Sequence, residues 1–199
     1  SMAKNNGMFL MTSVLNDTLY TWHDGRVDPL YVIQTGKQAF PQKAIDDGGP
    51  YDYYPEVVSK AQKKGYSSGI ERVWLTEKFG CAEYHIYRGT GTYYLNNELK
   101  EITFHAVNYL IWDLKTRRAI HYSPAGTWGS SLFYPGRKTF CTATENALVS
   151  CIPAYEIAGI DRAKMDGDPI YSDSRIREIV DSTEENDNPV IVYYPLDSI

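Results

Sequence analysis

Asn16-Asp17-Thr18-Leu19-Tyr20-Thr21-Trp22-His23-Asp24-Gly25-Arg26-Val27-Asp28-Pro29-Leu30-Tyr31-Val32-Ile33-Gln34-Thr35-Gly36 alternates strand-forming runs with turn residues. Asp24-Gly25 suits the positive backbone angles of a two-residue hairpin loop, and Asn16-Asp17 supplies a turn of its own. The flanking runs are rich in β-branched and aromatic residues, which fit a pleated, half-buried surface. Toward the N-terminus, Met8 to Leu15 reads as another strand, so the chain opens as a three-stranded antiparallel meander. Toward the C-terminus, Asp46-Asp47-Gly48-Gly49-Pro50 followed by Tyr51, Tyr53 and Tyr54 reads as a ring-rich loop. Pro55 then fits the first turn of a short helix over residues 55–64, closed by Gly65.

Short strands resume at Ile70 to Thr76, Glu83 to Tyr87, Glu101 to His105, Tyr109 to Leu114 and Arg118 to Tyr122, with Lys115-Thr116 as a turn. Leu132 to Tyr134, Lys138 to Thr142 and Ala147 to Ile152 keep that rhythm, punctuated by Pro135-Gly136 and Glu145-Asn146. After a polar stretch from Asp161 to Asp173, the apolar spacing of Ile176, Ile179 and Val180 predicts a second helix over residues 173–182. Pro189 to Tyr194 reads as a last strand, apolar enough to be buried on both faces. Short antiparallel strands with two short helices make the chain mainly β: a sandwich, a barrel or a propeller.

Composition narrows the function classes. With 199 residues, 43% hydrophobic and 23% charged, the chain falls in the globular range and reads as one domain. Its 20 basic against 25 acidic side chains give a net charge of -5, the wrong sign for a reader of phosphate backbones, so no nucleic-acid partner is expected. Three cysteines are too few for a disulfide scaffold, and a bond between Cys141 and Cys151 across a hairpin is left open. No run approaches the ~18 apolar residues of a membrane helix, and the N-terminus carries no secretory apolar region. Ser1-Met2 looks like an expression-vector remnant, and residues 1–7 are expected to be a disordered start.

The order of these segments resembles a known family. Asn16 to Tyr20 and Asp24 to Lys37 are similar to the "NDTIY" and "G-x-x-x-P-x-Y-x-x-D-F-G-K" stretches of the six-bladed β-propeller lipoproteins of gut Bacteroidetes. Asn186 to Ile191 is similar to that family's closing "DDNPVL", and Ala147 to Ile152 with Tyr155-Glu156-Ile157 resembles the strand before it. The match covers residues 9–41 and 130–194, whereas 46–122 agrees only in order of elements. Gln34-Thr35 departs from the family's Asp-Phe, and the chain is about half the family's length.

The resemblance implies a partial or small β-propeller of antiparallel meander blades with two short helices. Residues 8–199 would form that domain, the C-terminal part of a longer propeller. At ~40 to 50 residues per blade the chain holds too few blades for a ring of six, leaving an open arc. Open edges at Met8 to Leu15 or Val190 to Tyr194 would then favour a homodimer. The implied location is the periplasm or the outer membrane.

No catalytic constellation stands out. His23, His85, His105 and His121 lack metal-ligand spacing, and Cys81 has no evident partner histidine. Arg88-Gly89-Thr90-Gly91-Thr92 reads as a hairpin turn, not a phosphate loop, and Ser123 to Trp128 lacks the aspartate of a sialidase-type Asp-box. Asp161, Asp166 and Asp168 are calcium candidates without the EF-hand spacing. Tyr51, Tyr53, Tyr54 and Trp128 sit in ring-bearing loops, where small ligands and sugars stack on rigid scaffolds. The expectation is a non-catalytic extracytoplasmic binding or scaffolding module without cofactor, its partner a small molecule, glycan or protein. The alternative is a glycan-active hydrolase or lyase on a propeller scaffold, which would need two carboxylates ~5 to 9.5 Å apart in one cleft.

Overall fold

The computed structural model describes residues 2–5, 8–12, 16–33, 36–41, 59, 63–95, 98–124 and 131–196. These residues are mainly β and form three antiparallel sheets with two helices. Sheet 1 runs in the order β1 (Met2–Asn5), β2 (Met8–Met11), β3 (Thr18–His23), β4 (Arg26–Val32). Sheet 2 follows as β5 (Ser67–Leu75), β6 (Phe79–Leu95), β7 (Glu98–Asp113), β8 (Ala119–Tyr122). Sheet 3 holds β9 (Phe140–Ala143) and β10 (Ala147–Ile152), with β11 (Val190–Pro195) on the far side of β10. Between β10 and β11 lie α1 (Ala154–Ala158), α2 (Ser174–Ser182) and two 3-10 segments, Arg162–Gly167 and Pro169–Ser172. No closed ring forms among the described residues.

Asp24 and Gly25 take φ of 48° and 77° and join His23 to Arg26, the two-residue loop that the dipeptide predicts. The returning strand starts at Arg26 instead of Leu30, and Pro29 is tolerated inside it because β4 is an edge strand beside a register shift. Of the expected disordered start, residues 1, 6 and 7 lie outside the described residues, and β1 pairs Met2–Asn5 with Met8–Met11 and satisfies the outer backbone of β2. Met8 to Met11 is therefore no open edge, whereas β11 is one.

Three further expectations change. The strands expected around Glu83, Glu101 and Tyr109 merge into one long hairpin of β6 and β7, paired from Phe79↔Asp113 to Leu95↔Glu98. Its glycines make no turn: a register shift between Tyr87 and Gly89 absorbs them within the ladder. Residues 132–134 form a turn instead of a strand, with Phe133 buried. The last strand alternates, with Ile191 and Tyr193 49% and 59% exposed, because only one of its faces meets the rest of the molecule. The helix expected over 55–64 lies largely outside the described residues, and α2 matches its counterpart closely, with the Asp173 side chain accepting from Arg175 N at 2.8 Å.

Sheet 2 is the middle layer. Ile70, Val73, Leu75, Ala82, Tyr84, Ile86 and Trp112 meet Leu10, Leu19 and Ile33 of sheet 1. On its other face Trp74, Cys81, Tyr109 and Ile111 meet Phe140 and Leu148 of sheet 3. Leu148 and Ile152 share one face of β10, so this face also takes a third core with Ile157, Met165, Tyr171 and Val180. The corner at Asn16-Asp17 ties sheet 1 to β5, since Asn16 O accepts from Ile70 N at 3.0 Å and Thr12 Oγ1 donates to Ile70 O at 2.9 Å.

No disulfide joins Cys141 and Cys151; both thiols are free. The register shift at Val149/Ser150 leaves Cys141 between the paired positions, donating to Val149 O at 3.3 Å, while Cys151 pairs across to Ile191.

Candidate functional site

Among the described residues, a close group of His and Glu side chains lies on the face of sheet 2 that looks toward sheet 3. Strand alternation puts Glu83 and His85, two residues apart, on one side of β6, and Tyr109 stands opposite Glu83 on β7. The partner strand β5 is bulged: Ile70 pairs with Tyr84 and Arg72 with Glu83, so Glu71 is an extra residue in the ladder. That insertion brings Glu71 and Arg72 to the same group as Glu83 and His85. Ser68 Oγ supports the bend by accepting from His85 N at 3.2 Å.

Glu83 is 1% exposed, so its carboxylate needs full compensation. Tyr109 OH donates to Oε2 at 3.0 Å, His85 Nε2 lies 3.1 Å from Oε1, and Arg72 Nη1 lies 3.5 Å from the same oxygen. The other ring nitrogen, His85 Nδ1, lies 3.2 Å from Glu71 Oε1. Burial grades outward along this line, from Glu83 to a 15% exposed His85 and a 32% exposed Glu71. The liganding atoms of Glu71, Glu83 and His85 all fall within 4.8 Å of one another.

Burial, and then the Glu83 charge, push the Tyr109 phenol far above its ordinary range, so it remains a donor. The same two causes raise the Cys81 thiol, the opposite of what a nucleophile needs. The arrangement can hold a proton or a cation between an imidazole and two carboxylates.

The residues singled out from the sequence lie elsewhere. Tyr51, Tyr53, Tyr54 and Trp128 fall outside the described residues. Asp161 caps the first 3-10 segment by accepting from Ala163 N at 3.1 Å, and Asp166 pairs with Arg177 at 2.9 Å. Asp168 accepts from Tyr134 OH at 2.7 Å and Ile170 N at 3.2 Å, and its Oδ2 is enclosed without a hydrogen bond. The three do not gather as a ligand group among the described residues. His23 pairs with Asp28 at 3.2 Å on the exposed hairpin, and the His121 ring lies beside Tyr84. Glu83-Tyr84-His85 carried a signal that period-two alternation could have read; Glu71 carried none, because only the bulge delivers it.

No protein-family model and no curated protein sequence matches the chain. Among solved structures, a Bacteroides fragilis NCTC 9343 protein described as a "Putative exported protein" is similar, with a TM-score of 0.55 at 14% identity. The match takes in 96% of this chain and 48% of that one, so the chain spans about half the length of the structure it matches. At this identity the likeness is one of fold. Among the described residues, no helix is long and apolar enough to cross a membrane.

Proposed function

We propose that the chain is an arc of a β-propeller, related to the six-bladed Bacteroidetes lipoproteins, and works as a non-catalytic extracytoplasmic binding or scaffolding module. The observation that carries the reading is the succession of antiparallel sheets laid face to face, with the middle one buried on both sides. Stacking meander sheets in chain order is how a propeller accumulates blades. The likeness to a longer Bacteroides protein described as exported supports the location, in the periplasm or at the outer membrane.

The two outer faces support incompleteness. Across β2 to β4 the outer face of sheet 1 carries Phe9, Met11, Tyr20, Trp22, Val27 and Pro29, and that of sheet 3 exposes Ile191 and Tyr193 beside Cys151. Neither set includes a charge, although 23% of the chain is charged and β1 places Lys4 opposite Phe9. Such faces take further sheets, and a second copy of the chain supplies them, through faces more than through edges. Sedimentation across a wide concentration range tests this: a reversible dimer is expected, and a monomer throughout would remove the second copy.

Ligand contact belongs to the ring-bearing loops with Tyr51, Tyr53, Tyr54 and Trp128. Retention of polysaccharides in affinity gels without release of reducing ends is the expected behaviour, and release of reducing ends would favour a hydrolase. Glu71 and Glu83 do not favour catalysis, since an imidazole bridges them and Glu83 is enclosed by three donors.

A further inference from the structure

We infer that His85 and Glu71 form a binding site for a divalent transition-metal ion, with Glu83 as the outer carboxylate that orients the imidazole. A neutral imidazole carries one N–H, and the enclosed Glu83 carboxylate has the stronger claim on it than the partly solvated Glu71. With the proton on Nε2, facing Glu83 Oε1 at 3.1 Å, the lone pair of Nδ1 looks at Glu71 Oε1 across 3.2 Å. Two acceptors at that distance call for a positive particle between them. The separation also suits two ligands of one ion: with bonds of about 2.0–2.1 Å, it corresponds to a ligand–metal–ligand angle of about 100°.

Glu83 itself is held by Tyr109 at 3.0 Å, so the ring is fixed from behind in the carboxylate–histidine–metal pattern. An imidazole and a carboxylate select zinc, cobalt or nickel over magnesium or calcium, which prefer oxygen alone. Arg72 opposes a cation by its charge, and Glu83 offsets that charge at 3.5 Å. Both ligands reach the surface, so water completes the coordination. The site uses β5, β6 and β7 alone and is independent of how the outer sheet faces are covered.

Calorimetric titration of Zn²⁺ into the chelator-treated full chain, with the Co²⁺ visible spectrum as a second readout, tests the site. One ion per chain is expected, with no comparable binding of Mg²⁺ or Ca²⁺. His85→Gln and Glu71→Gln should abolish saturable binding while circular dichroism stays unchanged. Glu83→Gln should weaken it by about tenfold or more. Cys141→Ser should leave it intact, because Cys141 is an exposed thiol on another sheet. A proton filling the gap instead would appear as no saturable Zn²⁺ binding at neutral pH, which overturns the proposal. Binding that survives both ligand substitutions, or that is lost with Cys141→Ser, overturns it as well.

Discussion

At Tyr109 a phenol wholly removed from water donates to a carboxylate that is equally enclosed. Tyr109→Phe therefore leaves Glu83 short of a donor, and chemical denaturation should show a loss of about 1.5–3 kcal/mol, as for hydrogen bonds to charged groups. Gly136 is constrained from two directions. Its φ is 71°, and a Cβ built there would lie 2.4 Å from the Tyr109 ring. Gly136→Ala should cost the ~1–2 kcal/mol of a left-handed non-glycine residue plus the clash, measured the same way. Tyr194 gives a pH dependence. Burial holds its phenol up at about 12 in the fold, against 10.0 ordinarily, so its share of stability is complete below pH 10 and is lost as pH rises toward 12. Thermal unfolding between those values should fall less steeply in Tyr194→Phe. Pro135-Gly136 was legible as punctuation, but the ring that makes the glycine obligatory is 27 positions away in sequence.

Among the elements, β10, α2 and the Asp24-Gly25 hairpin were legible because each rests on local chemistry: an apolar run, a capped 3.6-residue pattern and a turn dipeptide. The β6–β7 hairpin was not, since glycine in a strand marks either a turn or a bulge, and only pairing with β7 chooses between them. The double burial read into Pro189 to Tyr194 failed for a related reason: apolar residues on both faces state what a strand tolerates, not what packs on it. β11 nevertheless extends the packed face of β10 through Val190, Val192 and Tyr194. Truncation before Pro189 should lower stability by less per residue than the ~1.5–3 kcal/mol that each fully buried branched side chain contributes, since Val190 and Val192 are only half-buried. Unchanged thermal unfolding of the truncated chain would count against that packing.

For the whole molecule, the order of stacking governs what remains exposed. The central sheet is packed on both faces around Ile70 to Ile86 and Tyr109 to Trp112, and the end sheets carry Trp22 at 40% exposure and Tyr193 at 59% on their outer faces. If those faces join copies, Trp22→Lys or Tyr193→Lys should shift sedimentation to monomer, and added salt should not, because apolar contact is not screened. Salt-induced dissociation would point to a charged interface instead. By itself, the sequence determined a mainly β chain of antiparallel strands, the turns at Asp24-Gly25 and Lys115-Thr116, and its net charge of -5. Those properties follow from neighbouring residues, through backbone preference and side-chain period. Tertiary structure alone decided the pairing of Glu71 with His85 and Glu83, the free thiols at Cys141 and Cys151, and which sheet is buried twice. Each depends on register and stacking between strands distant in the chain, where a one-residue bulge moves a side chain to another face and no local pattern records it.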